Sequence, residues 1–154
     1  MLKSILLLIC LIISSPTFAN EQTVYTPADI NCSSQDDIYY CVTARYRKPI
    51  TGIVRSYTKS GGLEKEEHYL EGKLNGTQKY YDESGKLEEE RSYKKGKLYG
   101  VSKGYYPSGK LKFRANFKGS RYNGYIETFD EDGRTIDRIY RTNGREKVVP
   151  ARRY

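Results

Sequence analysis

Few side chains in this sequence have the type and spacing that catalysis requires. His68 is the only histidine in 154 residues, so a multi-histidine metal centre cannot be assembled. It occupies a strand position taken elsewhere by Ser92, Asn116 and Tyr140, and reads as a solvated sheet residue. Ser56-Tyr57-Thr58-Lys59 and Ser92-Tyr93-Lys94-Lys95 both have the S-x-x-K spacing of some Ser–Lys hydrolases. They fall at different places in the chain's own periodicity and lack a helical context, so coincidence accounts for them. Glu64, Glu66 and Glu67, and again Glu88 to Glu90, are interleaved with basic residues, as on a charged, wet strand. Asp130, Glu131 and Asp132 crowd before Gly133, but the ligand spacing of a calcium loop fails and a turn suffices. No catalytic residue, metal site or cofactor is expected.

Cysteine chemistry is more informative. Cys32 and Cys41 have eight residues between them; they are not a C-x-x-C redox or metal pair, and in an exported chain such a pair forms a disulfide. Closing so short a loop contributes about 2–3 kcal/mol through chain entropy.

The elements that hold these residues repeat. Gly52, Gly76, Gly100 and Gly124 are spaced by 24 residues, and a second glycine follows nine residues into each unit at Gly61, Gly85, Gly109 and Gly133. A third lies twenty residues in at Gly72, Gly96 and Gly144, but slips by one to Gly119 in the third unit. Tyr57, Tyr81, Tyr105 and Phe129 recur five residues in, and Leu63, Leu87 and Leu111 eleven residues in. Asp82-Glu83-Ser84-Gly85 and Lys95-Gly96 are turn sequences, with a strand-length segment Leu87–Lys94 between them and a shorter one, Thr77–Tyr81, before them. Each unit therefore reads as two strands and two turns. Alternation predicts Leu111, Phe113, Ala115 and Phe117 on one face, with Lys112, Arg114, Asn116 and Lys118 on the other. The expected fold is all-β: an elongated antiparallel sheet of tandem 24-residue hairpins, each stabilised by its neighbours. Tyr57, Tyr81, Tyr105 and Phe129 are expected to stack as a spine.

With its register G-x4-Y-x3-G-x-L-x5-[YF]-x2-G, the chain resembles the MORN-variant repeat family. Gly76-Thr77-Gln78-Lys79-Tyr80-Tyr81-Asp82-Glu83-Ser84-Gly85-Lys86-Leu87 is the closest stretch, and the resemblance runs from about Val42 to Lys147. Many bacterial relatives look like antitoxin or immunity proteins, so the resemblance implies a protein that neutralises a toxin. MORN proteins of another type, with a Y-x-G-x-W start, associate with acidic phospholipids; this chain has no Trp.

Charge singles out one unit. The four units 52–75, 76–99, 100–123 and 124–147 carry net charges of 0, +1, +6 and −1. The third has Lys103, Lys110, Lys112, Arg114, Lys118 and Arg121 and no acid. Such a patch attracts an acidic partner. These six residues, with Tyr106 and Tyr122, are the expected contact with an acidic protein; an anionic membrane surface is the alternative, and nucleic acid is not expected. The oligomeric state is left open.

Residues 1–19 read as a cleavable signal peptide. Lys3 precedes the apolar run Ile5–Ile13, and Thr17-Phe18-Ala19 offers small residues for cleavage. Nine apolar residues span roughly 14 Å as a helix, short of the ~30 Å hydrocarbon core. Export to the periplasm or beyond follows, with Cys10 lost in the leader. Residues 20–51 form an N-terminal cap containing the disulfide and a half repeat, 52–147 the four hairpins, and 148–154 a basic tail.

Overall fold

The fold was obtained as a computed structural model and is described for residues 22–35 and 38–147. The leader expected at 1–19 and the basic tail at 148–154 lie outside the described residues. The described chain folds into strands β1 (Val24–Tyr25), β2 (Ile30–Gln35), β3 (Ile38–Thr43), β4 (Gly52–Tyr57), β5 (Leu63–Leu70) and β6 (Lys73–Tyr81). It continues through β7 (Leu87–Lys94), β8 (Lys97–Tyr105), β9 (Leu111–Lys118), β10 (Arg121–Phe129), β11 (Thr135–Thr142) and β12 (Arg145–Lys147). Strands β4 to β12 lie side by side in chain order, each antiparallel to the last. Strand β1 adds to β4 in parallel.

Two kinds of turn alternate. At one end, Thr58, Asp82, Tyr106 and Asp130 each begin the same loop, with their N–H donating to the carbonyl four residues on (2.8–3.0 Å). The Asp82 and Asp130 carboxylates cap their loops by accepting from backbone N–H groups two and four residues later. These bonds, first from the Ser84 hydroxyl and then from backbone, hold the Asp82 carboxyl below its usual range. At the other end, two-residue turns place both central residues at positive φ: Glu71-Gly72, Lys95-Gly96, Gly119-Ser120 and Asn143-Gly144. Their twist matches that of the flanking strands. The apparent slip to Gly119 is therefore no change of register. The glycine has moved to the first left-handed position, and Ser120 (φ 63°) holds the second.

The first three units each carry two bulges, one near each end, and the fourth carries one among the described residues, at Phe129. They correct the simple alternation. Tyr105 pairs with Leu111 but Gly104 pairs with Phe113, so Lys112 is the extra residue. Leu111 consequently shares a face with Arg114, whereas Lys112 turns toward the face of Phe113 and Ala115.

The hairpin β2–β3 is joined by the Cys32–Cys41 disulfide between directly opposed residues. It folds across one end of the array, with Cys41 N–H donating to Gly72 O at 2.7 Å. Beneath it lies the core: Cys41, Ile50, Val54, Tyr69 and Leu74, flanked by Tyr25, Ile30 and Tyr93. The Tyr57–Tyr81–Tyr105–Phe129 spine is not a stack of rings. Tyr57 is half-exposed, and the ring pairs among the described residues are Phe117–Tyr122 and Tyr125–Tyr140.

Candidate binding groove

Cross-strand register sorts the side chains of the array into two faces. One row on the first face runs Val54, Glu67, Gln78, Arg91 and then, beyond one bulge, Ser102, Ala115, Ile126 and Ile139. Its chemistry changes midway. Over the first two units paired charges and an amide sit beside the core residues Val54, Tyr69 and Leu74; over the last two the face is apolar.

The polar half is a cavity of about 600 Å³ closed in part by Pro27, Ile30 and Cys32 of the N-terminal segment. The buried carboxylate of Glu67 accepts from Gln78 Nε2 at 2.6 Å and pairs with Lys65 at 3.0 Å. Arg91 makes two 2.8 Å bonds to Glu89 and lies 5.0 Å from the Tyr80 ring centre. Glu89 raises the guanidinium above its ordinary range, while burial pushes the Tyr80 and Tyr93 hydroxyls up. Every charge here has a partner of opposite sign, as a buried ion must.

The apolar half is a groove of about 610 Å³ floored by Leu98, Phe113, Ala115, Phe117, Tyr122 and Ile126. Gly104 makes room for it. A Cβ there would stand 2.0 Å from the Phe113 ring, which instead lies against bare backbone. Phe117 and Tyr122 pack with ring centres 4.6 Å apart. Lys112, Tyr106, Arg91 and the exposed Ile136 bound the groove. No segment of the described chain closes it as the N-terminal hairpin closes the polar half.

The residues expected as one basic patch are dispersed by the fold. Lys112 sits at the rim of the groove, its amine 5.6 Å from the Tyr106 ring centre. Tyr122 lines the groove at one end, next to Lys118 and Arg121, which face each other across the β9–β10 turn. The Tyr106 hydroxyl is committed to Phe129 O (2.7 Å), and the Lys110 amine to Glu131 O (2.6 Å). Lys86 makes the same turn-to-turn bond one unit earlier, to Pro107 O (2.9 Å). Lys103 and Arg114 lie on the opposite face.

That face carries one row of ionisable residues crossing every hairpin strand. In order it is Arg55, Glu66, Lys79, Glu90, Lys103, Arg114, Glu127 and Arg138. Lys103 reaches Glu90 at 3.9 Å; Glu127 is buried between Arg114 and Arg138. Acids of the second and fourth units thus offset part of the third unit's charge. His68, Ser92 and Asn116 share this face and each bonds the carbonyl that follows a bulge glycine: Thr77, Val101 and Tyr125. His68 is not simply solvated; its Nδ1–H donates at 2.7 Å.

The groove residues Leu98, Phe113 and Ile126 escape a reading by charge. Their signal is positional: where the first two units carry Lys65 or Glu89, the third carries Phe113, and where they carry Val54 or Gln78 the fourth carries Ile126.

Residues 50–71, 74–95 and 98–118 each match the repeat described as the MORN repeat variant. The matched segments begin two residues ahead of Gly52, Gly76 and Gly100, and end before the fourth hairpin. No curated protein matches the chain.

Proposed function

We propose that this chain is an exported, non-catalytic binding protein whose apolar groove takes a protein partner. MORN repeats are often protein- or membrane-binding modules, and three such repeats build most of this sheet. The observation that carries the reading is the unequal cover of one face. The chain's own hairpin closes the polar half, while Leu98, Phe113, Ala115, Phe117 and Ile126 remain as an apolar floor. An apolar floor with a partly polar rim is the composition of the centre of a protein interface. Lys112, Lys118 and Arg121 form no ion pair among the described residues, so the rim favours a partner with acids around an apolar anchor.

The finer reading is an immunity-type neutraliser that meets an incoming toxin outside the cytoplasm. Its support is the apolar leader at 1–19 and the absence of a nucleophile–base pair from the sequence. Co-expression with an adjacent toxin-like reading frame tests it. The wild-type chain protects the host and co-purifies with the toxin; Phe117→Ser, which leaves the net charge alone, loses both. Protection that survives Phe117→Ser with the leader deleted overturns groove and export together.

A membrane-associated scaffold is the second reading, favoured by the net +6 of residues 100–123. It requires sedimentation with anionic vesicles that falls steeply with salt; equal binding to neutral vesicles rejects it.

A further inference from the structure

Along the charged face the signs alternate from Arg55 to Lys103, and again from Arg114 to Arg138. The two halves meet out of phase. Lys103 stands directly opposite Arg114, the only like-charged step in the row. Directly opposed like charges destabilise a sheet, so the fold keeps this pair at a cost that neighbouring acids only partly offset.

Both cations retain binding capacity. Lys103 holds Glu90 only at 3.9 Å, because Glu90 also accepts from the Tyr105 hydroxyl at 2.9 Å. Arg114 engages Glu127 through Nε, and its two terminal nitrogens take part in none of its hydrogen bonds. The two side chains are close to half exposed, at 45% and 47%. Beside Arg114, whose guanidinium carbon lies 5.7 Å from the Phe129 ring centre, is a hollow of about 370 Å³ lined by Leu111, Phe129, Lys110, Gly133 and Asp132, the last paired with Arg134 at 3.4 Å. A carboxylate set over the pair would therefore have a place for an apolar neighbour.

We propose that Lys103 and Arg114 receive an Asp or Glu carboxylate of a partner protein, with the adjacent apolar side chain of that partner seated on Leu111 and Phe129. The flanking charges favour this occupant over a polyanion. Glu90 and Glu127 sit one strand away on either side, roughly 4.8 Å. An array of phosphates, on a lipid surface or a nucleic acid, would lay further anions on them. A single carboxylate meets that repulsion once rather than repeatedly, and gains a two-nitrogen fork from Arg114. Lys103, Leu111 and Arg114 lie on the face opposite the apolar groove, and Phe129 borders both.

The test uses the full chain and a fluorescein-labelled peptide with one Asp flanked by Leu in a Gly-Ser background, followed by anisotropy at low salt. Saturable binding is expected, weakened about fivefold or more by Lys103→Gln and by Arg114→Gln. Lys79→Gln, which removes the same charge from the same row, should change it less than about twofold. Leu111→Ser should also weaken binding, and by more than Phe117→Ser; an equal or larger loss in Phe117→Ser would assign the peptide to the groove and overturn the proposal. Thermal melts identify any loss caused by misfolding of Arg114→Gln, and Lys103→Gln then carries the measurement. Equal losses in Lys79→Gln and Lys103→Gln would show bulk charge alone and overturn the assignment. So would equal binding of an Asn-for-Asp peptide, tighter binding to phosphatidylglycerol vesicles, or no saturation by about 1 mM peptide.

Discussion

The Asn116 side-chain amide donates to the carbonyl of Tyr125 at 3.1 Å, tying one strand to the residue that follows the bulge glycine of the next. Ser92 and Val101, and His68 and Thr77, repeat that tie 24 and 48 residues earlier. Three chemically different side chains do one job, satisfying a carbonyl that the bulge removes from the ladder. Asn116→Ala should cost about 1 kcal/mol, the net worth of such a bond, measured as a shift in urea midpoint with unchanged slope. A stability equal to wild type would mean that water replaces the amide without loss.

The turn Lys95-Gly96 holds Lys95 at φ 52°, a conformation that asparagine tolerates better than lysine. Asn143-Gly144 already uses the favoured pair at the equivalent turn. Lys95→Asn should stabilise the protein by about 0.5 kcal/mol. Thermal denaturation of the single variant checks the sign.

The Cys32–Cys41 bridge closes the hairpin that covers the core residues Ile50 and Leu74. Replacing both cysteines by serine should remove about 2–3 kcal/mol. Hydrogen exchange should rise first in β2, β3 and the Cys41–Gly72 contact, while β9 and β10 keep their protection. Uniform loss across all strands would instead make the hairpin part of one cooperative unit with the far end.

Burial, and then the bond to Glu90, push the Tyr105 hydroxyl up to about 12. The folded state therefore holds this proton more tightly than the unfolded chain, where tyrosine titrates near 10. Its contribution is intact below pH 10 and is lost as pH rises toward 12. Tyr80 and Tyr93 are also raised, so ultraviolet titration should find several late-ionising tyrosines, of which Tyr105→Phe removes one. The variant should also lose stability less steeply across that interval.

Much of this architecture is local and so was legible in the residues. The strand Leu87–Lys94 falls where its alternation and flanking turns predict it. The turns at Asp82–Lys86 and Lys95-Gly96 follow from residues that adopt those conformations with little help from the rest of the chain. Strand β6 begins earlier than the segment Thr77–Tyr81 suggested, because Lys73 and Leu74 pair across the tight turn with Leu70 and Tyr69. The candidate site was less legible. A count of charges joins Lys103, Lys112 and Lys118 into one patch, but two of them reach different faces.

The sequence by itself determined the repeat, the all-β architecture, the positions of the turns and the pairing of Cys32 with Cys41. All depend on spacing within one unit or one hairpin. Only the tertiary structure decided which residues meet across units. A bulge moves Lys112 to the groove and leaves Leu111 beside Arg114. Register then sets Lys103 against Arg114 and lines up the apolar floor from Leu98 to Ile126. These relationships span eleven to twenty-eight residues and rest on inter-strand hydrogen bonding, where one extra residue reverses the face that every later side chain presents.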